Sequence, residues 1–479
     1  MTPRSDSLQR LVLAVAILAT FIAFLDGSVV NVALPAISAD LGGGLSSQQW
    51  VVDAYLLTLG SVILLAGSLS DVFGRKRVLL AGLIGFGLFS LVCALAPTVE
   101  VLIAARALQG AAGALLVPSS LALIMDAFAT GGRERAIGIW TAFTSVASIA
   151  GPVVGGVLVD GFSWRWVFGI NVVPIVAALL LLRGLPAVAA PARGTRVDVV
   201  GAALGVVGLG LPVFALIEQP RLGWESPVIV ASLVLGAASV VGFLLWERRV
   251  RAPMLPLGIF RARNFWVGNV ATFFIYGGLS VGAFSLAVFL QQGAGYTATF
   301  AGLAMVPSSI VLIAASAAFG RLSARVGPRL LMAVGPVVAG AGFALMLRIG
   351  EDAHYLTQVL PTVLVFGLGM AITVAPLTAT VLGAVDPGRA GVGSAINNAT
   401  SRVAGLIAIA AAGSLGGSAV IDLDTFHRLV GVAAIGLLLG GITSALGIAN
   451  PGGVHHELRP WQAAASGASE QSAHPTRVG

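Results

Sequence analysis

Apolar segments long enough to cross a lipid bilayer recur along the whole chain, and they exclude most folds. Each has about 18 to 25 residues with few or no charges, and a helix of that length spans roughly 30 Å of hydrocarbon. Uniformly apolar segments favour helices over a β-barrel, whose strands alternate in polarity. We place fourteen such spans, at residues 11–36, 50–69, 78–97, 101–125, 136–159, 166–182, 198–217, 228–246, 266–290, 300–320, 330–347, 358–382, 403–421 and 428–449. The sequence therefore predicts an all-α integral membrane protein.

The composition agrees with a membrane protein. Hydrophobic residues make up 57% of the chain and charged residues only 10%, whereas soluble domains carry about 25% charged residues. The first span begins close to the start of the sequence and is not followed by a small-residue cleavage site and a soluble domain. We therefore expect this span to be retained in the protein rather than removed as a signal peptide.

The basic residues are distributed unevenly across the predicted topology. With the N-terminus in the cytoplasm, 22 of the 27 basic residues lie in inner loops and tails, Arg106 lies within a span, and four are outside, namely Arg165, Arg221, Arg348 and Arg428. This distribution follows the positive-inside rule and predicts a cytoplasmic membrane protein with both termini in the cytoplasm. The net charge of +7 then reflects topology, and no nucleic-acid partner is expected.

One sequence repeat divides the chain into two halves. The segments GSLSDVFGRKRVLL from Gly67 and GRLSARVGPRLLMA from Gly320 each follow a predicted span and are offset by eight spans. Two six-helix bundles with two inserted helices give that offset. We therefore predict an N-terminal bundle at 1–183, linkers and two inserted transmembrane helices at 184–262, a C-terminal bundle at 263–450 and a disordered cytoplasmic tail at 451–479.

The sequence offers little for enzymatic catalysis or metal binding. The single lysine, Lys76, follows an arginine, so the chain lacks the Gly-Lys-Ser/Thr ending of an ATP-binding P-loop. Ser280 lies in a G-x-S-x-G pattern within a span, but all five histidines fall in loops or the tail and provide no buried base. The one cysteine, Cys93, excludes an intrachain disulfide. We expect no enzyme activity, no ATP hydrolysis, no metal site and no other cofactor.

Few ionisable residues lie inside the spans, where a charge is costly and usually functional. The candidates are Asp26, Asp53 and Arg106, whereas the last six predicted spans have no Asp, Glu, Lys or Arg well inside them. By rise per residue, Asp26 and Arg106 fall at depths that let them meet, and Gln109 shares a helix face with Arg106, which we expect to face a central cavity. The pair could form a proton switch or a purely structural ion pair. Asp53, in the first predicted turn of its span, could instead face interfacial water.

Several segments carry a family resemblance. LDGSVVNVALP lies in the first span, GSLSDVFGRKR follows the second, RALQG begins at Arg106, GPVVGG begins at Gly151, and Asn397, Asn398 and Arg402 precede the thirteenth span. They resemble the motifs of the major facilitator superfamily, and specifically of its fourteen-spanning drug–proton antiporters of the EmrB/QacA type. The first-helix segment has Ser28 where threonine is usual. The fold expected from the resemblance is the major-facilitator type, with two six-helix bundles plus two inserted helices.

The resemblance implies roles for three groups of residues. The proton-coupling cavity would contain Asp26, Asn31, Asp53, Arg106 and Gln109. The loop motif called motif A, which would lock the halves together when the cytoplasmic side is closed, contains Gly67, Asp71, Gly74, Arg75 and Lys76. The exporter motif called motif C contains Gly151, Pro152, Gly155 and Gly156. The alternatives are that the basic residues only anchor the topology and that the glycines only allow ordinary helix packing. Ala324 replaces the aspartate in the second copy of motif A.

The expected function is export of a lipophilic drug or antibiotic in exchange for protons, driven by the proton gradient, with membrane lipid as the surrounding partner. One alternative is a dedicated exporter of a single endogenous metabolite or antibiotic. Another is a membrane sensor or scaffold that transports nothing, although a scaffold would not need Asp26 or Arg106. The absence of acids from the last six spans argues against dications as the preferred substrate.

Overall fold

A computed structural model describes residues 3–128, 132–186, 198–250, 253–350, 352–386, 390–417 and 421–450, and the regular secondary structure in these ranges is helical. Three short segments, Leu257–Arg261, Met346–Arg348 and Tyr355–Val359, form tighter or wider turns than an α-helix. The α-helices are α1 (Pro3–Leu41), α2 (Leu45–Phe73), α3 (Arg75–Ala94), α4 (Val99–Ala114), α5 (Leu116–Ala127), α6 (Arg133–Gly161), α7 (Trp166–Gly169), α8 (Val172–Arg183), α9 (Val199–Leu222), α10 (Pro227–Glu247), α11 (Arg263–Gln292), α12 (Ala298–Ala304), α13 (Val306–Val326), α14 (Pro328–Leu345), α15 (Leu360–Gly383), α16 (Ala390–Ala410), α17 (Ala412–Gly416) and α18 (Leu423–Gly447).

Twelve helical segments within the described ranges are long and apolar enough to cross a membrane. The chain is therefore a multi-pass membrane protein, and the all-α prediction is confirmed. The sequence predicts fourteen spans, two more than the twelve found within the described ranges. The two predicted spans at 50–69 and 403–421 fall on α2 and on α16 with α17, which are not among the twelve. The predicted tail at 451–479 lies outside the described residues.

Three of the spans are each divided between two α-helices, namely α4 with α5, α7 with α8 and α12 with α13, and proline accounts for the first and the last of these divisions. Helix α4 ends at Ala114 and α5 begins at Leu116, just before Pro118; α12 ends at Ala304 and α13 begins at Val306, just before Pro307. Proline lacks the backbone N–H of a helix interior and disfavours the helical conformation at the residue before it.

The helices pack in two groups, with a smaller pair beside them. In the first group α1 packs against α5, α6 and α8, and α4 packs against α2 and α3. In the second group α11 packs against α16 and α18, while α15 packs against α13 and α14. Helices α9 and α10 pack against each other, and α9 also contacts α2, α16 and α17. The two groups meet where α1 contacts α11, α2 contacts α16 and α6 contacts α12.

Candidate functional site

Asp26 on α1 and Arg106 on α4 form a buried ion pair. The Arg106 guanidinium lies 2.5 Å from Asp26 Oδ2, and the two residues are 1% and 0% exposed. One turn along α4, Gln109 accepts a hydrogen bond from Arg106 at 2.7 Å and donates one to Asp26 Oδ1 at 3.0 Å. The structure thus brings together three of the residues that the sequence analysis selected, from two helices that are far apart in the chain.

Two further polar residues complete this network, and the sequence analysis missed both. Asn171, between α7 and α8, donates a hydrogen bond to Asp26 Oδ1 at 2.8 Å, and Gln109 donates one to Ser90 on α3 at 2.7 Å. Both residues are fully buried. Their only sequence signal is a polar side chain within an otherwise apolar stretch, and small hydroxyl and amide side chains are common in membrane helices. The network therefore connects α1, α3, α4 and the α7–α8 junction.

Aromatic rings and a carbonyl enclose the Arg106 side chain. Its guanidinium carbon lies 4.1 Å from the centre of the Tyr55 ring and 5.6 Å from that of Phe168. Its Nε donates a hydrogen bond to the Val51 carbonyl at 3.1 Å. Contacts with the faces of aromatic rings stabilise a cation where water is excluded. The charge on Arg106 is therefore balanced locally, by one carboxylate and by ring faces.

Asp53 lies deeper than the sequence predicted. Helix α2 begins at Leu45, ahead of the predicted start of the span at residue 50, so Asp53 lies about two turns into the helix rather than in its first turn. The side chain is 0% exposed, and neither carboxyl oxygen has a hydrogen-bond partner among the described residues. The alternative in which Asp53 faces interfacial water is therefore wrong. Asn31 on α1 is half-buried, and its side-chain oxygen likewise has no partner within the described part of the chain.

The motif A residues make their described contacts within the first group of helices. Arg75 forms an ion pair with Asp126 at the end of α5 and donates a hydrogen bond to the Ala122 carbonyl at 3.0 Å. Lys76 donates to the Leu185 carbonyl. The side chain of Asp71 lies outside the described residues. In this conformation the described side chains of motif A hold α3 to α5 and to the end of α8, and they do not join the two halves.

Two glycines of motif A lie where a side chain would have different consequences. Gly74 connects α2 to α3 with φ of 89°, in the left-handed region that other residues rarely adopt. A Cβ on Gly67 would meet no atom within 4 Å. The left-handed backbone conformation therefore explains why position 74 has a glycine, whereas neither backbone conformation nor close packing explains the glycine at position 67.

The glycines of motif C bring α6 against both α1 and α12. A Cβ built on Gly151 would collide with Ser28, and one on Gly155 would lie 2.7 Å from Val29. On Gly156 it would lie 2.5 Å from the Ala298 carbonyl oxygen. Pro152 is the neighbour of Gly302 on α12, where a Cβ would collide with the Pro152 carbonyl. Gly151 and Gly155 therefore bring α6 close to α1 within the first group, whereas Pro152 and Gly156 form a close contact with α12 of the second group, which we call the α6–α12 seam.

Hydrogen bonds join the two halves at the same end of the helices as this seam. Asp160, at the end of α6, accepts hydrogen bonds from the backbone N–H groups of Ala298 and Thr299, at 3.1 and 2.7 Å. Gln49, near the start of α2, donates one to the Ala410 carbonyl at the end of α16, at 3.0 Å. The end that contains the α6–α12 seam is therefore closed, whereas Arg75 and Lys76 lie at the opposite end.

A cavity of about 350 Å³ lies between the two halves. Its lining combines aromatic, hydroxyl and amide side chains: Phe24, Gly27, Ser28, Leu56, Tyr276, Ser280, Thr378, Leu382, Ser394, Asn397, Asn398, Ser401, Arg402 and Gly405. None of the five predicted coupling residues lines it. Asp26, Arg106 and Gln109 are enclosed in the first helix group instead, because α1 presents Phe24, Gly27 and Ser28 to the cavity. The expectation that Arg106 and Gln109 face the cavity is therefore wrong.

Arg402 corrects another expectation. No charged residue was expected well inside the last six spans, because the thirteenth span was predicted to start at residue 403. Helix α16 begins at Ala390, so Arg402 lies within the helix and faces the cavity. A signal was available in the sequence. The polar residues Ser394, Asn397, Asn398 and Ser401 recur with Arg402 at three- and four-residue intervals, which places them on one helix face.

The fold and the site together define a class of protein. A multi-pass helical protein with two helix groups, a central cavity between them and buried ionisable residues beside it has the architecture of a secondary transporter. Comparison with known families agrees with this class. Residues 16–409 match the Major Facilitator Superfamily, and the chain belongs to that family. It is thus a transporter and not an enzyme.

Among curated proteins the chain is similar to several named for antibiotic resistance. It is 36% identical to the puromycin resistance protein pur8 of Streptomyces alboniger, over 91% of this chain and 88% of that protein. It is also 36% identical to the methylenomycin A resistance protein of Streptomyces coelicolor, over 90% of each chain. A further relative, at 35% identity over 85% of this chain and 76% of its own length, is the multidrug resistance protein Stp of Mycobacterium tuberculosis.

Solved structures share the fold at low sequence identity. A crystal structure of the peptide transporter POT in complex with sulfate matches with a TM-score of 0.68 and 16% identity, covering 91% of this chain and 93% of that chain. Because the sequence identity is low, this similarity establishes only the fold. The prediction of a major-facilitator-type helical fold is therefore confirmed.

Proposed function

We propose that the chain exports drugs or antibiotics across the cytoplasmic membrane in exchange for protons. The observation that carries this proposal is the buried network of Asp26, Arg106, Gln109 and Asn171 beside a central cavity. The names of the relatives that confer resistance to puromycin and methylenomycin A support export of small antibiotics. The proton gradient supplies the energy, and no cofactor or ATP takes part.

Asp26 and Asp53 are the proposed proton carriers. In this conformation Asp26 is matched to Arg106, so a carboxylate fits its position. Asp53 is enclosed without a partner, and a neutral carboxyl group fits its position better than an unpaired charge, which would be strongly unfavourable there. Movement of α1 and α2 against α4 would change both environments and would let protons exchange with water. Asn31, on the same helix as Asp26, is proposed to contribute to this region.

Access to the cavity would alternate between the two ends of the helices. The α6–α12 seam and the Gln49 contact close one end. We propose that this is the outer end, that motif A lies at the cytoplasmic end and that both chain termini are cytoplasmic. In the opposite conformation the seam would open, and Asp71 and Arg75 of motif A would help to hold the cytoplasmic end closed. The two halves would rock about the cavity.

We further propose fourteen spans, with α2 and α16 crossing the membrane in addition to the twelve. Helix α2 has 29 residues and packs against α3, α4, α9 and α16. Its length of about 43 Å exceeds the thickness of the hydrocarbon core. The predicted bundles at 1–183 and 263–450, with inserted helices α9 and α10 within 184–262, follow from this arrangement. The chain would then resemble the EmrB/QacA type of antiporter in span number as well.

Transport by the purified protein tests the proposal. The protein is reconstituted in liposomes with a pH gradient, and entry of methylenomycin A and movement of protons are measured together. We expect drug and proton fluxes to be coupled in the wild type and uncoupled or lost in Asp26→Asn. Asp424→Asn, a change at an exposed acid at the start of α18, is the matched control and should retain both fluxes. Full antiport by Asp26→Asn would refute the role of Asp26.

A dedicated exporter of one product is the second candidate. It is favoured by similarity to a protein named probable actinorhodin transporter from Streptomyces coelicolor, at 37% identity. Growth of a drug-hypersensitive host that expresses the chain separates the two candidates. A multidrug exporter should confer resistance to several unrelated compounds, whereas a dedicated exporter should confer resistance to one.

A further inference from the structure

Arg402 carries a charge that the described residues do not balance. It is half-buried on the cavity side of α16, and its guanidinium has no hydrogen-bond or ion-pair partner among the described residues. Its guanidinium carbon lies 5.1 Å from the centre of the Phe24 ring. Arginine is permanently charged at physiological pH. The cavity therefore presents a cation to whatever it binds.

The helices around Arg402 offer neutral groups. Of the described residues that line the cavity, α1 contributes Phe24 and Ser28, α11 contributes Tyr276 and Ser280, and α15 contributes Thr378. None of the described lining residues is acidic. Asp26, on the helix that carries Phe24, is already bound to Arg106, Gln109 and Asn171 and is enclosed away from the cavity. The described lining thus provides no internal counter-charge for Arg402.

An arginine with a purely structural role inside a membrane protein is usually paired with an acid or with backbone carbonyls. Arg106 in this chain is an example, because it contacts Asp26 and the Val51 carbonyl. Within the described structure, Arg402 has neither an acidic partner nor a backbone carbonyl partner. A charge kept unpaired at a cavity wall indicates that its partner arrives with the ligand.

We infer that the cavity binds amphipathic organic anions, with the acidic group of the substrate at Arg402 and its apolar body against Phe24, Leu56 and Tyr276. Arginine binds carboxylates through paired hydrogen bonds, and the neighbouring hydroxyl and amide groups can accept or donate further ones. A cationic drug would meet a like charge and no acid. This inference rests on the proposed export function and specifies the substrate class for it.

Three probes of similar size and differing charge test the inference. Pyrenebutyrate is anionic, its methyl ester is neutral, and pyrenebutyltrimethylammonium is cationic. Purified wild-type protein is titrated with each probe, and fluorescence reports binding. We expect the anion to bind at least about tenfold more tightly than the cation, the difference that one charge-assisted hydrogen bond produces. Equal binding of the three, or preference for the cation, would overturn the inference.

Variants of Arg402 assign the preference to this residue. Arg402→Gln should weaken binding of pyrenebutyrate by about tenfold and leave binding of the neutral ester within about twofold. Arg402→Lys, which keeps the charge, should retain most of the preference. Arg325→Gln, the same change at an exposed arginine in the last turn of α13 and outside the cavity lining, is the matched control and should leave binding of all three probes unchanged. If Arg402→Gln does not fold, as judged by thermal unfolding, the wild-type comparison and Arg402→Lys still decide the question.

Failure of this inference and failure of the proposed function give different results. A wild type that exports antibiotics with coupled protons but prefers the cationic probe refutes the anion site and leaves export intact. A wild type that binds pyrenebutyrate through Arg402 but moves no antibiotic and no protons refutes export and supports the anion site.

Discussion

Both carboxylate oxygens of Asp26 accept hydrogen bonds. Oδ2 accepts from Arg106, and Oδ1 accepts from Gln109 and Asn171. A neutral replacement would leave Arg106 buried with no counter-charge, which is more costly than removing both charges together. The stability of the first helix group therefore depends on the charge of Asp26 as well as on its shape.

The first prediction concerns this dependence. Asp26→Asn should lower the free energy of unfolding by about 3–5 kcal/mol, the usual cost of breaking a buried ion pair from one side. The double variant Asp26→Asn with Arg106→Gln should recover most of that loss and should still fail to couple drug and proton movement. Thermal unfolding in detergent measures the stability. An Asp26→Asn protein as stable as the wild type would contradict the prediction.

The second prediction concerns Asp53. Asparagine has nearly the shape of a neutral aspartic acid, and neither oxygen of Asp53 has a described partner to lose. Asp53→Asn should therefore change the free energy of unfolding by less than about 1 kcal/mol while it reduces proton coupling. The measurement is unfolding alongside proton flux in liposomes. A large loss of stability would show that Asp53 is charged and paired in the resting protein.

Sequence reasoning found Asp26, Arg106 and Gln109 and missed two neutral members of the network, Ser90 and Asn171. Asp26 and Arg106 stand out because a charge in an apolar span needs an explanation. Asn171 and Ser90 carry no such signal, and only the packing of α3 and the α7–α8 junction against α1 shows their role. Arg402 was overlooked for a different reason. Its helix begins with small and polar residues, and hydropathy therefore placed the start of the span too late.

At the scale of elements, hydropathy located the helices well and their ends poorly. The prediction began the second span at residue 50, whereas α2 begins at Leu45, and that error of more than one turn placed Asp53 at the wrong depth. Polar residues such as Gln48 and Gln49 lowered the apparent hydropathy of this turn. In the structure they are buried, and Gln49 binds backbone carbonyls of the second helix group. Tertiary contacts decided where this helix starts.

Helix α9, one of the two proposed inserted helices, contacts helices of both groups. Glu218 on α9 accepts hydrogen bonds from the Trp50 indole at 2.9 Å and from Ser46 at 3.3 Å, both on α2. Ser414 on α17 donates one to the Leu216 carbonyl of α9 at 3.0 Å. Helix α9 therefore bridges α2 and the α16–α17 region, which lie on opposite sides of the contact between the halves. The repeat in the sequence predicted an insertion in this region but carried no information about these contacts.

The third prediction tests the α6–α12 seam. Gly156→Ala places a methyl group 2.5 Å from the Ala298 carbonyl oxygen, so the two helices must separate. We expect opening of this end and loss of most transport, with increased labelling of a cysteine introduced at Thr299. Gly161→Ala, on the same helix, meets no atom within 4 Å and is the control. Unchanged labelling of the Gly156→Ala protein would argue against a closed seam.

At the scale of the whole molecule, the two ends differ in how the halves are joined. At the end with the seam, Asp160 and Gln49 form hydrogen bonds with the backbone of the second helix group. At the opposite end, the described partners of Arg75 and Lys76 belong to the first helix group. In the proposed alternating cycle, the described structure would be the state in which the end with the seam is closed. The motif resemblance predicts which residues form the gates, whereas the contacts show at which end the two halves are joined.

The unpaired charge of Arg402 has an electrical consequence for the transport cycle. If the cavity carries a monovalent anion outward while one proton enters, two elementary charges move in the direction that an inside-negative membrane potential favours. Together they contribute about 5 kcal/mol per cycle at 100 mV, so export would be accelerated by voltage even without a pH gradient. Liposomes with a potassium diffusion potential measure this, and exchange of a monovalent cation for one proton would show no such response. A fixed positive charge in the cavity would thus let the membrane potential drive export directly.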